Sequence, residues 1–176
     1  LLILVLILII SLEFEYLRIE IGAEIPLLNK VWKYLRRGKE RKHIGGDVYF
    51  LIGAILVLSI FDVRVAIAAI LMTTFGDLAA ALIGKRFGKH KIRNMKSRAC
   101  EGVIAEFIVD IIIGLIVFFW PGHYILTTQK IIIILIMSSV ATFVETLIYK
   151  MDDNLLIPVF SGFFGQVTYL ILNYLQ

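Results

Sequence analysis

Residues 65–84 read VAIAAILMTTFGDLAAALIG, an apolar run with one ionisable side chain, Asp77. At 1.5 Å rise per residue, a helix of about twenty residues covers about 30 Å, one thickness of bilayer hydrocarbon. Comparable apolar runs lie at 1–19, 101–120, 130–149 and 158–175, with a shorter one at 48–61, and only short polar connections separate most of them. The chain is 60% hydrophobic with a mean hydropathy of +0.91, well above the roughly 45–50% apolar content of soluble domains. The sequence is therefore read as an all-α integral membrane protein with about six transmembrane helices. Residues 1–176 are expected to form a single polytopic domain, because no polar stretch is long enough for a separate soluble one.

The chain starts LLILVLILII without a methionine, which leaves room for an upstream piece and a longer first span. A cleaved signal peptide is not expected, since no basic region precedes the run and no small-residue cleavage site follows it. A single cysteine, Cys100, and three scattered histidines make neither an intrachain disulfide nor a zinc constellation. At the end of the first run, Glu15 and Arg18 are three residues apart and can pair on one helical face. Over residues 26–37, Leu27, Leu28, Val31, Trp32 and Leu35 alternate with Lys30, Lys33, Arg36 and Arg37, the pattern of a short amphipathic helix lying in the membrane interface. Its basic face suits anionic lipid headgroups.

Charge sets the orientation. Of 18 Lys and Arg, seven lie between Lys30 and Lys42, seven between Lys85 and Arg98, and Lys150 follows the fifth run. Alternating spans put all of these on one face, and the positive-inside rule makes that face cytoplasmic.

An ionisable group inside a spanning helix is costly, so Asp77 is a candidate functional residue. Helical spacing puts Thr73, Asp77, Ala81 and Lys85 on one face and Gly76, Ala80, Gly84 and Gly88 on an adjoining stripe of small residues. That stripe could admit either a close helix or a phosphate. Asp77 and Asp110 fall at similar depths in neighbouring antiparallel runs, with Glu106 and Glu145 on the same side and Glu101, Asp152 and Asp153 near the rim. Buried carboxylates in such numbers are protonated, paired with Lys or Arg, or gathered around a metal. Oxygen ligands suit magnesium when phosphate supplies the remaining positions. The connection after Asp77 supplies positive charge: Lys85, Arg86, Lys89, Lys91, Arg93, Lys96 and Arg98, among Gly84, Gly88 and Gly102. These are the ingredients of polyphosphate binding, although no P-loop pattern is present.

Asp77-Leu-Ala-Ala-Ala-Leu-Ile-Gly84-Lys-Arg-Phe-Gly88, then Lys96-Ser97 and Glu101-Gly102, resembles the DxxAxxxGxxxG and KSxEG signatures of the CTP-dependent lipid kinases, which include dolichol kinase, phytol kinase and CTP-dependent diacylglycerol kinase. Arg98, Ala99 and Cys100 stand between Ser97 and Glu101, where the signature is shorter. Glu15-x-x-Arg18, Gly46-Asp-Val-Tyr49-Phe50 with Gly53, and Glu145 ahead of Asp153-Asn154-Leu-Leu-Ile-Pro158 extend the resemblance over nearly the whole chain. Phosphatidate cytidylyltransferases share a related pattern.

The resemblance implies a membrane enzyme that transfers the γ-phosphate of CTP to the hydroxyl of a lipid alcohol, a dolichol- or polyprenol-type acceptor or diacylglycerol, at the cytoplasmic face. It implies catalytic roles for Asp77, Lys96 and Glu101, and a divalent cation, Mg2+, on Asp77, Glu101 and Asp153. Nucleotide contacts are expected from Gly84, Lys85, Gly88, Lys96, Ser97, Gly102, Asp153 and Asn154. The implied partners are CTP, the lipid alcohol and the bilayer, with no nucleic acid, and a homodimer stays open. A cytidylyltransferase would instead attack the α-phosphorus with a lipid phosphate. A transporter is a distant alternative, because the charges gather toward one face and no repeat is apparent.

Overall fold

The computed structural model describes residues 1–19, 44–92, 98–121, 126–147 and 151–174. Among them are six helices: α1 (Leu2–Ile19), α2 (Gly46–Ile60), α3 (Val63–Phe87), α4 (Cys100–Phe119), α5 (Thr127–Leu147) and α6 (Asp153–Tyr174). The expected interfacial helix at 26–37, together with Lys96, Ser97 and Lys150, lies outside the described residues. The chain is an all-α membrane protein. Four helices, α3 to α6, are long and apolar enough to cross a bilayer. Helix α2 is a shorter apolar helix of 15 residues, and α1 carries Glu13, Glu15 and Arg18 in its last two turns.

The helices are apolar outside and mixed inside. Along α4, Ile104, Ile108, Ile112 and Ile116 are exposed, whereas Gly102, Glu106, Asp110, Ile113 and Gly114 are buried. A helix in water shows the reverse; with lipid outside, the exposed isoleucines carry no penalty and the carboxylates must turn inward. Several hydroxyl groups within the helices are satisfied locally: Thr73, Thr74, Thr142 and Ser161 each donate to the carbonyl four residues back.

Helix α6 packs against α2, α3 and α5, while α4 lies between α3 and α5, and α1 rests on α2. Val65, Ala69 and Met72 of α3, Ile113 and Phe118 of α4, and Ile133 and Met137 of α5 form the main apolar core. It sits in the half of the bundle away from Lys85. A smaller cluster of Ala141, Val144, Leu156 and Ile157 joins α5 to α6 nearer the charged end.

Two local features change expectations from the sequence. Helix α3 is interrupted by a π-turn at Met72–Gly76, which shifts the helical register by about one residue. Thr73, expected to share a face with Asp77, is instead buried on the core side and bonded to Ala69 O. Helix α6 starts at Asp153 rather than near Pro158. The Asp152 carboxylate accepts from Asn154 N at 3.1 Å and caps the first turn, so the helix is already under way when Pro158 is reached. Pro158 has no N–H for the Asn154 carbonyl. That oxygen faces Gly53 of α2, where a Cβ would stand 3.1 Å from it.

Candidate active site

At the end of the bundle where α3 and α5 finish and α4 and α6 begin, a cavity of about 430 Å³ opens between these helices. Among the described residues, its charged lining is made by Asp77 and Lys85 from α3, Arg98 from the α3–α4 connection, Glu106 from α4, Glu145 from α5 and Asp153 from α6. Ala80, Ala81, Gly84 and Gly102 supply small walls.

The small walls exist because α3 and α4 cross closely. A Cβ on Gly102 would lie 2.8 Å from Ala80 O and 3.2 Å from Gly84 Cα. Of the two uses open to the small-residue stripe, a close helix or a phosphate, the structure shows the helix. Gly88 likewise faces Ala99, a Cβ there coming within 2.6 Å of the alanine Cβ. Deeper in, Gly76 of the π-turn makes room for Asp110, whose Oδ1 would be 2.5 Å from a Cβ at that position. Asp110 is 0% exposed and neither of its oxygens has a hydrogen-bond partner.

Beside Asp110, Glu106 and Glu145 are 1% and 5% exposed and border the same cavity close to one another. Two buried carboxyl groups at that range share a proton or a cation, because the effective cost of burying an uncompensated charge is several kcal/mol. Arg98 supplies compensation at the outer edge. Its Nη1 is 3.0 Å from Glu145 Oε1 and its Nη2 is 3.8 Å from Asp153 Oδ2. One guanidinium therefore spans from α5 to α6 across the mouth of the cavity.

Of the residues expected from sequence, Asp77, Gly84, Lys85, Gly102 and Asp153 line this one cavity. Asn154 is adjacent but turned toward α2, its Nδ2 2.8 Å from where a Gly46 Cβ would be. Glu101 is placed elsewhere. Its carboxylate accepts from the backbone N–H of Lys89 and of His90, each at 3.2 Å, and meets His90 Nδ1 at 2.8 Å. It thus ties down the connection, which closes with Ile92 N donating to Arg98 O and Cys100 N donating to His90 O. Among the described residues, no three His, Cys, Asp or Glu side chains converge as a metal site. Magnesium commonly takes one or two carboxylates and completes its shell with water and substrate phosphate. Asp77 and Asp153, on one cavity wall each, fit that pattern, whereas Glu101 is committed to the loop.

The sequence placed Arg98 in a basic loop suited to polyphosphate and Glu106 and Glu145 in a group of buried carboxylates, but singled out none of the three as an individual site residue. The polarity of Glu106 and Glu145 within apolar runs was the available signal. For Arg98 there was only its membership of a basic loop.

Comparison with known proteins finds relatives named as CTP-dependent diacylglycerol kinases and phytol kinases. The chain is 28% identical over 155 residues to CTP-dependent diacylglycerol kinase 1 of Schizosaccharomyces pombe, covering 84% of this chain and 71% of that protein. It is 30% identical over 139 residues to probable phytol kinase 3, chloroplastic, of Glycine max, covering 75% of this chain and 44% of the relative. The chain is a relative of the CTP-dependent lipid kinases. The probable phytol kinase, chloroplastic, of Triticum aestivum is 26% identical over 132 residues, 70% of this chain and 44% of its own. Apart from the Schizosaccharomyces pombe protein, the chain spans about half the length of the curated relatives it matches. No family model matches the chain, and no solved structure does.

Proposed function

We propose that the chain is a CTP-dependent kinase that phosphorylates the hydroxyl of a membrane lipid alcohol. The observation that carries this reading is the cavity itself: it opens at the polar end of four long apolar helices and brings Asp77, Lys85, Arg98 and Asp153 together, in a chain related to CTP-dependent diacylglycerol kinases and phytol kinases. Diacylglycerol and phytol-like prenols are the acceptor classes that these relatives favour, with dolichol- or polyprenol-type alcohols as the longer variant. The basic connections at this end support a cytoplasmic site.

The geometry suits the chemistry. A lipid tail can remain against the exposed isoleucines of the helices while its hydroxyl reaches the rim, where soluble CTP arrives. The alcohol oxygen attacks the γ-phosphorus, the bond from that phosphorus to its bridging oxygen breaks, and CDP leaves with those electrons. The hydroxyl proton passes to a carboxylate of the cavity or to water. Such transfer needs chiefly alignment and charge neutralisation. Lys85 and Arg98 offer positive charge to phosphate oxygens, with Lys96 and Ser97 assigned to the same task from their place in the signature. Asp77 and Asp153 would hold a divalent cation, which, when bound, neutralises phosphate charge. Gly84 and Gly102 let α3 and α4 approach so that Asp77 and the start of α4 border one space, and Glu101 keeps the connection in place over it.

Incubating the purified chain with γ-labelled or α-labelled CTP and a panel of lipids tests the proposal. Transfer of γ-label to diacylglycerol or a prenol alcohol is expected. Incorporation of α-label into a lipid with release of pyrophosphate would replace the kinase reading with a cytidylyltransferase.

A further inference from the structure

The described charged residues of the cavity are unequal in sign. Among the described residues, Asp77, Glu106, Glu145 and Asp153 face Lys85 and Arg98, so that within this set carboxylates outnumber cations where a triphosphate would enter. Of the two cations, Lys85 stands in the last turn of α3, whereas Arg98 is tethered on both sides. The backbone of Arg98 is held by the Ile92 N–H at 3.1 Å, next to the Lys91–Ala99 bridge. Its guanidinium lies against Glu145, which is buried, and more distantly against Asp153, which is partly exposed.

These two contacts are unequal. At 3.0 Å, the Glu145 contact is close and shielded; at 3.8 Å, the Asp153 contact is at the limit of an ion pair and open to water, where such pairs contribute little. The Nη1 atom facing Glu145 is not aligned for a hydrogen bond to any partner. A guanidinium has five N–H donors, so this one reaches the cavity with donors to spare and its position set from behind.

Resting on the kinase reading, we infer that Arg98 is a phosphate-binding residue of the nucleotide site, positioned by Glu145 and exchanging its loose contact with Asp153 for the oxygens of the CTP triphosphate. The exchange frees the Asp153 carboxylate on the same wall as the incoming phosphates. Glu145 is then a positioning residue: it acts through Arg98 by fixing the direction of the guanidinium.

The test uses the full chain in detergent micelles, with calorimetric titration of CTP and of inorganic triphosphate, and with KM measured separately for CTP and lipid. Arg98→Ala is expected to weaken binding of both anions about tenfold, the usual scale of a lost charge-assisted contact, and to raise KM for CTP with KM for lipid unchanged. Arg98→Gln keeps a polar contact to Glu145 without the charge; it is expected to weaken binding equally and provides the readout if Arg98→Ala does not fold. Glu145→Gln is expected to weaken triphosphate binding by a smaller factor, about threefold, and to have little further effect once Arg98 is replaced. Folded Arg98→Ala or Arg98→Gln with wild-type affinity for triphosphate, in a wild type that transfers phosphate from CTP, overturns this inference alone. A wild-type chain that neither binds nor turns over CTP overturns the kinase reading and this inference with it.

Discussion

The two ends of the α3–α4 pair handle charge in opposite ways. At the end away from the cavity, each described cation is engaged with the helix ends. Arg64 donates through Nη1 to Trp120 O at 2.7 Å and through Nη2 to Pro121 O at 2.9 Å, closing the carboxyl end of α4. Lys130 lies over the Phe119 ring at 5.1 Å, and Asp62 caps α3 by accepting from Arg64 N. At the cavity end, Lys85, Arg98 and four carboxylates border an open space instead of closing helix termini. Arg64 also borders a space of about 360 Å³, but its other walls are the apolar Val63, Ile67, Ile116, Val117 and Trp120, whereas the cavity end gathers several charges of both signs around one volume. Charge that completes the fold is thereby separated from charge available for chemistry.

Substitutions at the two ends should consequently fail in different ways. The largest effect is expected from Asp77→Asn, which keeps the shape and removes the charge: lipid phosphorylation should fall by at least about 100-fold with little change in thermal unfolding. Full activity in the folded variant would break the comparison at its strongest point. Gly102→Val presses a branched side chain against Ala80 O and Gly84. It should destabilise the chain by about 1–3 kcal/mol as an overpacked contact and lower activity by spreading the cavity wall, as melting curves and turnover measured together would reveal. Arg64→Met should cost about 1–2 kcal/mol through lost carbonyl contacts at the α4 terminus and leave KM for CTP unchanged. Lys130→Met should be smallest, about 0.5–1 kcal/mol for the exposed ring contact, again with unaltered kinetics. A change in CTP affinity in either of the last two variants would blur the distinction between the ends.

Much of this organisation was legible in sequence because hydrocarbon imposes simple rules. Apolar runs of fixed length gave the helices, and acids within those runs pointed inward. Asp77, Gly84, Lys85, Gly102 and Asp153 were selected from spacing and resemblance, and they share one cavity. The π-turn was not legible, because nothing in Met72-Thr-Thr-Phe-Gly76 announces a five-residue repeat; it depends on how Gly76 accommodates Asp110 of a neighbouring helix. Glu101 was read as a metal ligand because a carboxylate near phosphate-type motifs suits one, yet the same oxygens also suit the backbone N–H groups of Lys89 and His90. Loop closure decides between those uses, and that is a tertiary property. Arg98 was one of seven basic residues in its connection, with its special position set by Glu145 on α5.

The most direct measurement places a reporter thiol at each end of the pair in a Cys100→Ser background: Ala81→Cys in the cavity wall and Val117→Cys at the far end. Rates of modification by a soluble thiol reagent would be followed with and without CTP. If the triphosphate sits between α3, α4, α5 and α6, CTP slows modification of Ala81→Cys and leaves Val117→Cys unchanged. Unaltered labelling of Ala81→Cys at saturating CTP, or protection of Val117→Cys alone, would contradict the assignment of this cavity to the nucleotide.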